Sequence, residues 1–150
     1  MNRSVDPSVA RRMGEVAEPQ ANLDVCTETG TLADYRALAH FHYRSAHPGA
    51  VSDVLRLTQR RQTVIGRYLQ RSEETHLVGV LVRSLPSLSC SLRDIATNHP
   101  YTSLTPRERA IVLNREVRCI SRVVIVPQFR GLGLAGRLVR HALEHPHPPG

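Results

Sequence analysis

VVIVPQFRGLGLAGRLVRHALEH, residues 123–145, runs from a β-branched apolar segment, through a proline and three closely spaced glycines, into a helical pattern. Val and Ile suit the pleated surface of a sheet, and Pro127 lacks the backbone donor that would continue the strand. From Leu134 the period changes. Leu134, Leu138 and Ala142 recur at i, i+4 and i+8, with Val139 and Leu143 beside them and Arg137, Arg140, His141 and Glu144 outside the stripe. The spacing predicts a strand, a glycine turn and an amphipathic helix. The turn contains Gly131-Leu132-Gly133-Leu134-Ala135-Gly136, a literal G-x-G-x-x-G.

Outward from this junction the chain is less regular. NLDVCTETG (22–30) alternates weakly and ends on glycine, which predicts a first strand. TLADYRALAHFHYRS (31–45) reads as a helix capped by Thr31, with Asp34 three residues on, and with Leu32, Tyr35, Leu38, Ala39 and His42 near one face. Residues 51–62 fit a helix or a strand. TVIGRYLQ (63–70) and HLVGVLVRS (76–84), joined by the polar RSEET, predict a hairpin. Residues 85–106 read as loop. The run 107–127 begins ambiguously and ends as a strand containing Val117, Cys119 and Val123 to Val126. The polar segment 1–21 and the segment 146–150 are expected to be disordered, leaving one domain over 22–145.

With 150 residues and 41% hydrophobic content, one modest core is expected. No apolar run reaches the ~18 residues that a membrane span needs. Cys26, Cys90 and Cys119 are far apart and form no C-x-x-C pair, so neither a zinc site nor a disulfide framework is indicated, and a reduced, cytoplasmic setting is expected. The net charge of +7 admits nucleic acid, an anionic surface or an acidic cofactor as a partner. That charge is carried by arginine and dispersed, without basic blocks interleaved with aromatics, which favours an ordinary basic surface over a nucleic-acid patch.

Three readings of the glycine junction compete. A helix start exposes unpaired N–H groups and a partial positive charge, and glycines let a phosphate approach the backbone. A dinucleotide fingerprint needs its first glycine at the strand end and an acidic residue ~20 positions later on a further strand. Here Pro127 to Arg130 intervene, and the required downstream strand is missing; no Gly-Lys-Ser/Thr follows, which excludes a Walker A loop. The glycines also suit a purely structural turn with close helix–sheet packing. The third reading is an acyl-coenzyme A cradle.

That reading rests on a resemblance. Arg130-Gly131-Leu132-Gly133-Leu134-Ala135, preceded by Val-Ile-Val-Pro and followed by the apolar helix of Leu138 and Val139, resembles the acyl-coenzyme A segment of the GNAT N-acetyltransferases, Arg/Gln-x-x-Gly-x-Gly/Ala at a strand–helix junction. The order strand, helix, antiparallel hairpin, motif strand is also similar. The resemblance implies an α/β domain with a mixed, mostly antiparallel sheet and flanking helices. It implies transfer of an acetyl group from acetyl-CoA to an amine acceptor, small molecule or protein. Arg130 and the amides of Gly131, Leu132, Gly133, Leu134, Ala135 and Gly136 would hold the pyrophosphate, and the backbone of Val123, Val124 and Ile125 the pantetheine arm.

The family's pattern continues with further strands and a helix for which the fourteen residues after Gly136 leave no room. The expectation is therefore a GNAT-like domain lacking its C-terminal strands, with a partner chain as one means of completing the sheet. Two alternatives stand beside the enzyme: a non-catalytic coenzyme- or partner-binding half-domain, and a basic nucleic-acid-binding protein. Glu116 lies where some family members carry a base on the motif strand; it equally fits a surface carboxylate paired with Arg115 or Arg118. Tyr101 does not match the family's proton-donating tyrosine. His141, His145 and His147 lack a further ligand and read as a solvated helix end rather than a metal site. His40 and His42 read as structural or surface residues, and Cys119 as a buried thiol.

Overall fold

The computed structural model describes residues 24–43, 48–62, 73–98 and 100–146. The expected arm at 1–21, the run TVIGRYLQ and the last four residues of the expected tail lie outside these segments. Four strands, β1 (Val25–Gly30), β2 (Val51–Gln62), β3 (Glu73–Ser84) and β4 (Cys119–Ile125), form one sheet in chain order. Every pairing is antiparallel, so among the described residues the sheet is not mixed.

The first helix is shorter than its periodicity predicts. α1 (Leu32–Leu38) gives way to a 3-10 turn at Ala39–Phe41, and His42 is already extended. Its start is as expected: the Thr31 hydroxyl accepts from the Asp34 amide at 3.3 Å, and the Asp34 carboxylate accepts from the Thr31 amide at 2.7 Å. Such a box satisfies two donors that a helix start would leave open. Tyr35 and Leu38 are buried, whereas Leu32, expected on the same face, is exposed.

Residues 51–62 are strand throughout. They pair with β3, while the run 63–70, expected as its hairpin partner, lies outside the described residues; part of the expected link, Glu73 to Thr75, is strand. The ambiguity has a physical source. β2 lies between β1 and β3, and both of its faces are covered, with Val54 facing one core and Leu55 and Leu57 the other. A strand buried on two faces loses the apolar–polar alternation that marks a half-exposed one.

Between β3 and β4 lie two helices, α2 (Ser91–Ala96) and α3 (Pro106–Glu116), where the sequence reads as loop and then ambiguously. α3 begins with Pro106 at its first turn and a second box, in which Glu108 accepts from the Thr105 amide at 3.0 Å. The Thr105 hydroxyl and amide hold the Glu108 carboxyl below its ordinary value. Only Leu113 of α3 is buried, so a core-facing stripe is nearly absent from its sequence.

The last helix, α4 (Leu134–Glu144), covers one face of the sheet and α1 the other. Leu134, Leu138 and Ala142 pack with Val25, Leu55, Leu57, Val78, Leu81 and Ile125. Tyr35 and Leu38 pack with Val54, Val80, Val82, Val124 and Val126. Arg83, with a side chain only 8% exposed, joins these layers. Its guanidinium pairs with Asp53 at 2.6 Å and donates to the carbonyls of Ala142 and His145. A cation at the C-terminus of α4 meets the carbonyls that the helix leaves without partners.

Candidate functional site

The junction between β4 and α4 carries the features expected to bind an anion. After Ile125 the chain turns through Pro127–Phe129 and reaches Gly131 and Gly133, with φ of +80° and +73°. Side chains other than glycine rarely adopt that backbone, so these two glycines are required by the turn. Gly136 is different. It lies within α4, shows no positive φ, and an added Cβ would meet no atom within 4 Å. Neither backbone conformation nor helix–sheet packing accounts for glycine there; its effect is to leave open space outside the first turn of α4.

Gly133 is the N-cap and offers no side-chain oxygen. Backbone closure of α4 begins with the Arg137 amide, which donates to the Gly133 carbonyl at 3.0 Å. The amides of Leu134, Ala135 and Gly136 therefore lack acceptors within the helix. Three donors, the positive end of the helix dipole and the bare surface at Gly131, Gly133 and Gly136 converge on one exposed region.

The strand entering this turn has an unpaired edge. β4 is the last strand of the sheet and bonds only β3 among the described residues. The Val126 amide donates to the Val78 carbonyl at 2.9 Å, so the polar groups of residue 126 point toward β3. Backbone groups alternate along a strand, which turns those of Val124 the same way and those of Val123 and Ile125 outward. The Ile125 carbonyl is consistent with this, since it accepts from Arg130 Nε at 3.0 Å.

Arg130 was expected to face a phosphate. Its guanidinium joins two backbone segments, donating to Ile125 and, through Nη2, to the Phe41 carbonyl at 3.2 Å. It thereby fixes the turn after α1 against the end of β4. A cleft of about 330 Å³ lies between them, lined by Phe41, His42 and Tyr43 on one side and by Val123 to Ile125, Arg130 and Ala135 on the other. Its volume is at the lower end of the range for small-molecule sites. The sequence reading missed the wall at Phe41 to Tyr43. The signal was present as HFHY directly after the helix, but helical phasing of that run hid it; the helix ends at Leu38.

Other candidates lie elsewhere. Glu116 is the last residue of α3, not a residue of β4; it is exposed, bonds Arg115 at 3.0 Å and does not line the cleft. Cys119 is exposed rather than buried, and all three cysteines are free. His141 and His145 stack with ring centroids 4.2 Å apart, and His147 lies outside the described residues. No group of three potential metal ligands occurs among the described residues. No described helix is long and apolar enough to cross a membrane. A larger polar groove of about 570 Å³ includes Glu28, Asp34 and Arg56. There Arg56 pairs with Glu28 at 3.0 Å and lies 3.9 Å from Asp34, so its charges compensate one another. No family model, curated protein or solved structure matches the chain.

Proposed function

We propose that the chain binds acetyl-CoA at the β4–α4 junction and transfers its acetyl group to an amine, as the resemblance to the GNAT family suggests. The observation that carries this reading is the continuity of two unlike binding features. The edge of β4 at Val123 and the Ile125 amide, with no further strand beside it among the described residues, runs directly into a helix start with open amides and glycines at 131, 133 and 136. Coenzyme A has matching chemistry in the same order: an extended arm with amide donors and acceptors, then a pyrophosphate. The arm pairs with the outward backbone groups of β4 as an added strand does. The pyrophosphate accepts from the amides at Leu134 to Gly136.

Arg130 has a positioning role here, since its guanidinium is engaged by Ile125 and Phe41. Anion contacts then come from the backbone, and Glu116, away from the cleft, is not the base. The experiment is release of coenzyme A thiol from acetyl-CoA in the presence of a panel of amines. Gly133→Glu, which places a carboxylate at the cradle, is expected to abolish both binding and release.

The non-catalytic alternative draws on the lining of the cleft, which includes no carboxylate among the described residues. It predicts binding of acetyl-CoA without thiol release. The nucleic-acid alternative is weakened by arginine use. Arg56, Arg83, Arg93, Arg109, Arg118, Arg130 and Arg137 all donate within the protein, to carboxylates, carbonyls or a hydroxyl. A steep fall of DNA or RNA binding with salt would restore it.

A further inference from the structure

We propose that His42 is the general base that takes a proton from the acceptor amine; the proposal rests on the acetyl-CoA reading above. Amine attack on a thioester needs a neutral nitrogen beside the carbonyl carbon, and so a proton acceptor within reach of the bound arm. Among the described residues lining the cleft, the ionisable side chains are His42, Tyr43 and Arg130. By side-chain type, imidazole is the one of these three groups that commonly serves as a general base.

The position of His42 is fixed from two sides. Its amide donates to the Ala39 carbonyl at 3.0 Å, closing the 3-10 turn. The preceding Phe41 carbonyl is held by the guanidinium that also holds Ile125, so the histidine follows directly from a point tied to the end of β4. Its ring stacks on Tyr43 with centroids 4.8 Å apart. His40, two residues earlier, packs instead against Phe41 and is not part of the lining. The charged and titratable neighbours of His42 among the described residues include His40, Tyr43 and Arg130.

The step balances as follows. His42 takes one proton from the ammonium form of the acceptor. The neutral nitrogen adds to the thioester carbonyl carbon, forming the C–N bond. The carbonyl re-forms as the C–S bond breaks, and the electron pair leaves on sulfur. The second proton on nitrogen passes to that thiolate, giving coenzyme A thiol. His42 returns its proton to water, so one proton is released per amide formed.

The test compares wild type, His42→Gln and His40→Gln by acetyl-CoA calorimetry and by the pH profile of kcat/KM. The acceptors are ethanolamine, a lysine-containing peptide and a peptide with a free α-amino group. The expected result is a fall in kcat/KM of roughly 10²–10⁴-fold in His42→Gln, with its acid limb flattened. Acetyl-CoA affinity should remain within about twofold of wild type, since the variant leaves the strand edge and cradle intact. His40→Gln should keep the wild-type rate and profile. An undiminished rate in His42→Gln overturns the assignment while leaving the coenzyme reading standing. Binding without turnover of any acceptor overturns it also, and failure of wild type to bind acetyl-CoA removes the reading beneath it.

Discussion

Gly79 on β3 stands opposite Ile125 on β4, and a Cβ at Gly79 would lie 2.5 Å from Ile125 Cδ1 and 3.0 Å from the Val124 carbonyl oxygen. The missing side chain lets the last turn of β4 settle on the sheet beneath Leu138. Gly79→Ala is expected to destabilise the protein by about 1–3 kcal/mol despite alanine's lower entropy cost, because a packed core resists the added methyl. Ile125→Val removes the nearer obstacle. The two changes should therefore couple in a double-mutant cycle by more than about 0.5 kcal/mol, measured by urea unfolding. Strict additivity would mean that Ile125 does not constrain Gly79.

Gly136 separates folding from binding. Among the described residues, no atom outside its own stretch of helix lies within 4 Å of where its Cβ would be. Gly136→Ala should leave the fold intact and stabilise it by up to about 0.5–1 kcal/mol, since glycine is a poor helix former. The same methyl enters the space assigned to the pyrophosphate, so acetyl-CoA affinity should fall about tenfold, a loss of 1.4 kcal/mol. A variant that is more stable and binds equally well would remove Gly136 from the cradle.

Arg83 is the polar link between sheet and helix. Replacing it by methionine leaves the largely buried Asp53 carboxylate unpaired and removes a donor from the Ala142 and His145 carbonyls. The expected loss is about 3–5 kcal/mol, as for other broken buried pairs. Arg83→Met combined with Asp53→Leu should recover part of it by removing the stranded charge. Thermal melts of the single and double variants provide the comparison.

His141 gives the fold a pH dependence on the acid side. Burial lowers its pKa below the ordinary 6.5, helped by His145, Arg83 and Arg137 and opposed by Glu144. The unfolded chain then binds the proton more readily than the native one, so stability rises with pH through this window. The penalty is absent above the unfolded value, grows as pH falls through about 6.5, and is complete below the folded value. His141→Gln should reduce the loss of stability between pH 8 and pH 5; an unchanged slope would exclude His141 as its source.

The parts of the fold legible in the sequence are those whose signal is local. The change from β-branched residues to four-residue spacing at Leu134 identified β4 and α4, and Thr31 with Asp34 located the start of α1. β2 was illegible as a strand because Val54 and Leu55 are both buried, on opposite faces. α3 was hidden because Leu113 is its only buried residue. The glycine turn was readable from residue type alone. The opposite wall of the cleft was not, because Phe41 and Ile125 are brought together by Arg130 across 89 positions of chain between Arg130 and Phe41. Glu116 was misplaced for a related reason, since the strand begins at Cys119 after the helix has ended.

The most direct measurement is calorimetric titration of the 150-residue chain with acetyl-CoA, free coenzyme A and NADH. Saturable binding of both coenzyme A compounds, with none of NADH, is the predicted result, because the cradle accepts a pyrophosphate whose arm pairs with β4. Absence of acetyl-CoA binding by a folded sample, or equal binding of NADH, would contradict the account.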